Sequence, residues 1–373
     1  MSDATGQILA AFSFIALVIL VPPLCYHVQN RNIPAASLIT WFCIQNLTTF
    51  INAVIWSGED YTQGYDGKVY CDITVRILSG ATVGLLCATA CIIFNLFMII
   101  SARNHGYLAR DSKTKLIVNI LMCWANPLLL MGITVLAQTH RYDVARYYGC
   151  SAPWSYTLGS VMLVSVWNVI WIAVACVFAI LTIIELARKR KDILDILRCT
   201  NSGLNMRKFL RLIILSFLIV LVFSPVTLVS FAADVRAASS VTDEVRMAYS
   251  SIKWSDIYAY DIGMSNISAK IVPIIFSFIT FFLFGLGTEA LKMYRSFLVS
   301  IGFKSLRKNE PKDFYVAKDF HESRQTSKQT QSTEETVGLS LIEYEHFQTL
   351  VLEKEPFSLL PDSNDAATFY SRH

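Results

Sequence analysis

The chain has 373 residues, of which 54% are hydrophobic and 16% charged, with a formal net charge of +4. A water-soluble domain cannot enclose that much apolar surface, and so small an excess of charge offers no footprint for nucleic acid. What the charge does carry is its distribution along the chain.

Seven apolar stretches follow one another near Gln7–Tyr26, Ala35–Trp56, Cys71–Ile100, Leu116–Ala137, Thr157–Leu186, Leu212–Ala232 and Ala269–Leu286. Most span about 20 residues, enough to cross a roughly 30 Å hydrocarbon core as helix. The third and fifth are longer and are expected to tilt or project. The predicted fold is all-α, a seven-helix transmembrane bundle over residues 7–286. Residues 1–6 precede it with no basic run, so no cleavable signal peptide is expected and the first helix serves as the insertion signal. Pro22 and Pro23 are expected to bend the end of that helix into the loop.

Basic residues occupy alternate loops. Segments 27–34, 101–115 and 187–211 carry thirteen Lys/Arg against three acids, whereas 1–6, 57–70, 138–156 and 233–268 carry six against ten. Basic loops stay in the cytoplasm, so the amino terminus is predicted outside and the carboxyl terminus inside. Sorted by that topology, only Cys71 and Cys150 of the nine cysteines face an oxidising compartment. They are either a disulfide pinning the fourth-to-fifth loop over the bundle or two free thiols. Cys199, in a cytoplasmic loop, is read as an unmodified thiol.

The spans hold few titratable groups. No Asp or Glu lies in the interior of any predicted span, and all six histidines sit outside or at the edges. Proton relays, intramembrane proteases and metal-dependent membrane enzymes need such groups, so neither catalysis nor a cofactor is expected. A transporter of small molecules or lipids is the competing class, but related halves and midplane charges are missing. Lys270 is read as a snorkelling residue one turn inside the outer end. A retinal Schiff base there would want a counter-ion that is not evident. Asn46, Asn52, Asn95, Asn126, Asn168, Ser165 and Ser224 are expected to hydrogen-bond between helices. Pro127, Pro225 and Pro273 interrupt three spans and are candidate hinges.

After the fifth span comes a basic rod. Lys191–Asp195 and Asp195–Arg198 favour helix, with Ile193, Ile196 and Leu197 as an apolar stripe. Either it fixes topology and touches anionic lipid, or it docks a cytoplasmic partner. Its polar candidates are Arg188, Lys189, Arg190, Lys191, Arg198, Asn201, Gly203, Asn205, Arg207 and Lys208. Past the seventh span, Leu291, Tyr294, Leu298 and Ile301 suggest a short helix over 287–302 lying on the inner leaflet. Residues 303–373 read as disordered tail, with eight acids against two bases from 330 onward.

Pro22-Pro23-x-x-x-His27, Arg31-Asn32-Ile33-Pro34, Trp41, Trp56, Cys71-Asp72-Ile73, Tyr148-Gly149-Cys150, the Arg188–Arg211 stretch and Pro225 together resemble the fungal a-factor-type lipopeptide pheromone receptors, class D of the G-protein-coupled receptors. The resemblance covers roughly residues 8–302. It implies a plasma-membrane receptor for a secreted, farnesylated and carboxymethylated peptide, coupled through a heterotrimeric G protein to a mating MAP-kinase cascade. It also implies membrane lipids and, in principle, a second copy of the chain as partners. Ligand contacts fall on the aromatic outer residues Trp56, Tyr156, Trp254 and Tyr258. The chain departs from many relatives at Phe94-Asn95, where they carry Arg, and at Tyr258, where they carry His.

Overall fold

The computed structural model describes residues 4–61, 63–101, 107, 112–155, 157–189, 206–240, 253–260 and 267–285, with backbone only at 206–208 and 268. All of these fall in one compact unit, Met1–Leu298. The expected surface helix and tail lie outside the described residues. Backbone groups in hydrocarbon must be satisfied within their own segment, and each apolar stretch accordingly folds as helix.

The helices are α1 (Ala4–Gln29), α2 (Ile33–Ile55), α3 (Tyr70–Ser101), α4 (Lys113–Ala137), α5 (Leu158–Arg188), α6 (Met206–Ser239) and α7 (Ser268–Thr280, extended by Phe281–Gly285). Six are long and apolar enough to span a membrane, and the seventh is shorter. Three strands, β1 (Tyr142–Ala145), β2 (Gly149–Ser151) and β3 (Ile257–Tyr260), form one small sheet at one end of the bundle.

Two expectations are corrected. The third and fifth helices are long as expected, at 32 and 31 residues, but the sixth, expected to be of ordinary length, reaches 34. Its charged ends close the apolar run but not the hydrogen-bond ladder, so hydropathy measures the bilayer and understates the helix. Likewise α1 runs through Pro22 and Pro23 to Gln29. It stops instead at Arg31, whose φ of 53° is left-handed, with Asn32 N–H bonding His27 O and Arg31 N–H bonding Val28 O. That paired closure satisfies the last carbonyls and turns the chain directly into α2, where Pro34 sits in the first turn. Pro225 and Pro273 lie inside α6 and α7, and Pro127 follows a widened π-type turn at Leu121–Ala125.

Helix α3 is the axis of the molecule. In its most apolar 18 residues 78% are buried, against 22–50% in the other long helices. Close packing explains a small residue at its middle: a Cβ on Gly84 would fall 2.4 Å from the Trp41 ring of α2. Trp41 in turn packs on Trp124 of α4, ring centroids 4.7 Å apart. Outward, Ile8, Phe12 and Ile15 of α1 and Leu221 and Val229 of α6 are exposed, the pattern of a lipid-facing surface. Helices α1 and α7 run the same way, since Phe12 meets Phe278 and His27 meets Phe284. Five crossings separate them, as an odd-numbered bundle requires.

Candidate functional site

One end of the bundle is roofed. Cys71, in the first turn of α3, is joined to Cys150 of β2, with Cα atoms 5.3 Å apart. Strand β1 pairs antiparallel with β2 and parallel with β3, opposing Val144 to Cys150 and to Ala259. Beneath the sheet Trp56, Cys71, Val75, Tyr142, Val144 and Cys150 form a buried cluster. Burial of the Tyr142 ring pushes its phenol up to about 12. Its hydroxyl donates to Asp66 O at 3.1 Å, and Trp56 Nε1 donates to Tyr65 O at 3.1 Å.

Polar links tie this roof to helix ends. The Arg141 guanidinium donates from Nε to Asp72 Oδ1 at 2.7 Å and from Nη2 to Oδ2 at 2.5 Å, a two-pronged pair at the start of α3. Asn52 of α2 donates to Tyr148 O at 2.9 Å and accepts from Tyr70 Oη at 3.0 Å. The next residue has to be glycine: Gly149 has φ of 75°, and a Cβ there would lie 2.2 Å from the Asn52 side chain. Just before β1, His140 Nε2 lies 2.6 Å from Oδ1 of Asp143 in the strand. Desolvation raises the Asp143 carboxyl, with the His140 hydrogen bond opposing it. In the exposed loop, Lys68 holds Asp66 below the usual carboxylate range.

The four aromatic candidates do not share one surface. Trp56 is buried in the roof, 1% exposed, and serves its packing. Trp254 and Tyr258 are about half exposed; Trp254 O accepts from Arg141 N, and Tyr258 meets the His140 ring edge-on. Tyr156 lies outside the described residues.

Lys270 overturns the snorkelling expectation. It is 6% exposed and lies in the first turn of α7, its Nζ 3.9 Å from the centre of the Tyr148 ring. Among the described residues no carboxylate or carbonyl pairs with that ammonium. Ser165 bridges helices as expected, but to a partner that sequence reasoning passed over, along with other polar atoms in this half of the bundle. Ser165 Oγ of α5 donates to Asp234 Oδ2 of α6 at 2.6 Å, and Arg76 Nη1 and both amide atoms of Gln138 are buried without a hydrogen bond. Asp234 went unnoticed because the predicted sixth span stopped at Ala232.

The opposite end is built differently. Lys189 Nζ donates to Ile100 O at 3.0 Å and Ser101 O at 2.8 Å, the final carbonyls of α3, with Glu185 Oε2 3.9 Å away. A helix C-terminus leaves its last carbonyls unbonded and attracts a cation, so one lysine fastens α5 to α3. Beside it Asn95 Nδ2 donates to Asn119 Oδ1 at 2.8 Å, linking α3 to α4, and Tyr107 Oη donates to Asn95 Oδ1 at 3.2 Å. This network occupies the Phe94-Asn95 position. A cavity of about 820 Å³ opens next to it, lined in part by Asn95, Ile99, Lys113, Lys115, Leu212 and Phe284. Arg188 is exposed at the end of α5, and Arg207 and Lys208 stand in the first turn of α6. Arg190, Lys191, Arg198, Asn201, Gly203 and Asn205 lie outside the described residues.

Of the asparagines expected to bridge helices, Asn46 and Asn126 do so as Asn95 does, whereas Asn168 Oδ1 is buried without a hydrogen bond among the described residues. Asn46 Nδ2 donates to Ser277 Oγ of α7 at 2.7 Å, and Trp171 Nε1 of α5 donates to Asn126 Oδ1 of α4 at 3.0 Å.

The sequence pattern of a family described as Pheromone A receptor matches residues 8–302. The chain is 36% identical over 328 residues to the pheromone a factor receptor of Saccharomyces cerevisiae, covering 86% of this chain and 69% of that protein. It is 27% identical over 325 residues to the pheromone B beta 1 receptor of Schizophyllum commune, covering 83% and 58% respectively. Against pheromone receptor 1 of Ustilago hordei the identity is 25% over 313 residues, covering 81% and 86%.

Proposed function

The chain belongs to the pheromone A receptor family, and from that premise we propose that its ligand is a secreted peptide bearing a farnesyl chain and a carboxymethylated end. The family places it among the G-protein-coupled receptors, multi-pass in the plasma membrane. The observation that carries the reading is the extent of the match, which takes in all seven helices and both ends of the bundle. An aqueous peptide meets the roofed end, which faces outward on the charge distribution and on the need of Cys71–Cys150 for an oxidising compartment. Its prenyl carbons leave water for the bundle or its lipid-facing side, each CH₂ contributing roughly 0.8 kcal/mol.

Signal leaves by the basic end. Agonist stabilises an arrangement in which α5 and α6 separate there, exposing Arg188–Lys208 and the adjoining cavity to the G protein, which relays to a MAP-kinase cascade. For that shift the ligand must bind the opened bundle more tightly than the closed one. Pro225 and Pro273 give α6 and α7 places to flex. The test expresses the chain in cells lacking their own receptor and applies synthetic peptides with and without the farnesyl group, reading G-protein activation. Activation by the farnesylated peptide at far lower concentration is expected. Silence toward every lipopeptide, with receptor at the cell surface, overturns the reading.

A further inference from the structure

Between α1 and α7, in the roofed half, runs a furrow of about 540 Å³ lined by Leu9, Phe12, Ile271, Ile274, Ile275 and Phe278 among others, with Thr5 the one polar residue on its wall among the described residues. The size is within the roughly 300–1,000 Å³ range of small-molecule sites. Ile271 and Ile275 are themselves 41% and 51% exposed, so the furrow opens sideways toward lipid rather than up into water. Ile267 and Ile274, both on its wall, stand one turn either side of Lys270 on α7. Lys270 therefore stands at the flank of that wall, its ammonium against the Tyr148 ring rather than lining the furrow itself.

Resting on the reading of the ligand given above, we propose that this furrow receives the isoprenoid chain and that Lys270 donates to the carbonyl of the methyl ester next to it. A surface that met only lipid tails would have no use for a cation 94% removed from solvent, since an ionised group in hydrocarbon is costly without an acceptor. The Tyr148 ring supplies partial compensation, and among the described residues no oxygen accepts from the N–H groups of Lys270. The terminus of a prenylated, esterified peptide offers the matching pair: a long apolar chain and, a few bonds away, a small neutral acceptor. A phospholipid tail lying in the same furrow would hold its phosphate at the water boundary, beyond a lysine roofed by Tyr148. The roof also links this site to the peptide's, because Tyr148 is the residue whose carbonyl Asn52 holds.

Full-length receptor in membranes tests this with a lipopeptide whose isoprenoid carries a photoreactive group. Cross-links are expected on α1 and α7, suppressed by excess unlabelled lipopeptide and not by added phosphatidylcholine vesicles. Labelling confined to other helices overturns the proposal, as does suppression by phospholipid alone. In a second arm, K270M is expected to weaken activation by roughly tenfold to a hundredfold, the loss of a hydrogen bond from a charged donor. It should also erase the difference between the methyl ester and an analogue with a methyl ether in place of the ester. A K270M receptor that reaches the surface and still prefers the ester overturns the proposal. I275W, which fills the furrow from its lipid side, should weaken the farnesylated peptide and leave the unfarnesylated one unchanged. If wild-type receptor answers no lipopeptide, the functional reading itself falls; if it answers but the labels and variants disagree, only the furrow does.

Discussion

The two ends of the bundle solve the same problem, joining helix termini, by opposite means. At the roofed end the joints are covalent or many-sided: a disulfide, a three-stranded sheet with one parallel pair, a two-pronged Arg141–Asp72 bond and a buried aromatic cluster. At the basic end the joints among the described residues are single side chains, Lys189 on the carbonyls of α3 and the Tyr107–Asn95–Asn119 chain. A bond made by one rotatable ammonium to backbone oxygens can be given up and remade, whereas a disulfide cannot on the time scale of signalling. One end is built to stay and the other to let go, and each prediction below strikes at that asymmetry.

The largest effect belongs to the disulfide. It closes a loop of 79 residues, and removing such a native bridge costs about 2–5 kcal/mol. C71S and C150S, singly and together, should lower the thermal midpoint of the purified receptor by the same amount, since either removes the same bond. Lipopeptide binding should fall with it. Wild-type stability in these variants would mean that the sheet and the Arg141–Asp72 pair suffice, and the covalent half of the comparison would collapse.

Releasing the other end should act on signalling rather than on folding. Lys189 is about a third exposed, so its two hydrogen bonds contribute about 1 kcal/mol once solvent competition is counted. K189M should then raise G-protein activation without peptide by about fivefold, with surface expression unchanged. R188A, whose side chain is exposed on the same turn and makes no bond to α3 among the described residues, should not raise that basal level. A K189M receptor that is quiet at rest and poorly activated by agonist would instead make Lys189 a docking contact.

Much of this architecture was legible in the chain. Length and apolarity fixed the helices, and sorting cysteines by side singled out Cys71 and Cys150. The neutral residues Asn46, Asn95 and Asn126 bridge helices because hydrocarbon offers no water to satisfy their amides. What escaped were features set by geometry rather than by composition. Lys270 looked like any lysine near a boundary, because no periodicity shows that a tyrosine 122 residues earlier covers it. Trp56 read as an outer aromatic ligand contact, yet the disulfide folds the roof down over it. Lys189 lay in a run of four basic residues, and only the place where α3 ends distinguishes it from its neighbours.

The smallest effect probes whether the fixed end is fixed at every pH. The Asp143 side chain is 13% exposed and bonded to His140, and desolvation raises its carboxyl above the ordinary value. The folded protein therefore binds this proton more tightly than the unfolded chain does. Stability from this group falls as pH rises from the ordinary aspartate value, about 3.9, through the raised folded one. Asp66, held low by Lys68, works with the opposite sign and below that window, losing its contribution only as pH falls through its depressed value. D143N keeps an oxygen for His140 and removes the titration. The difference in thermal midpoint between wild type and D143N should hence grow with pH across the interval just above 4 and level off beyond it, with the variant the more stable at neutral pH. A difference that shrinks as pH rises would mean that ionised Asp143 is held by His140 more strongly than its burial opposes it, and the sheet would then count as a joint that acid can loosen.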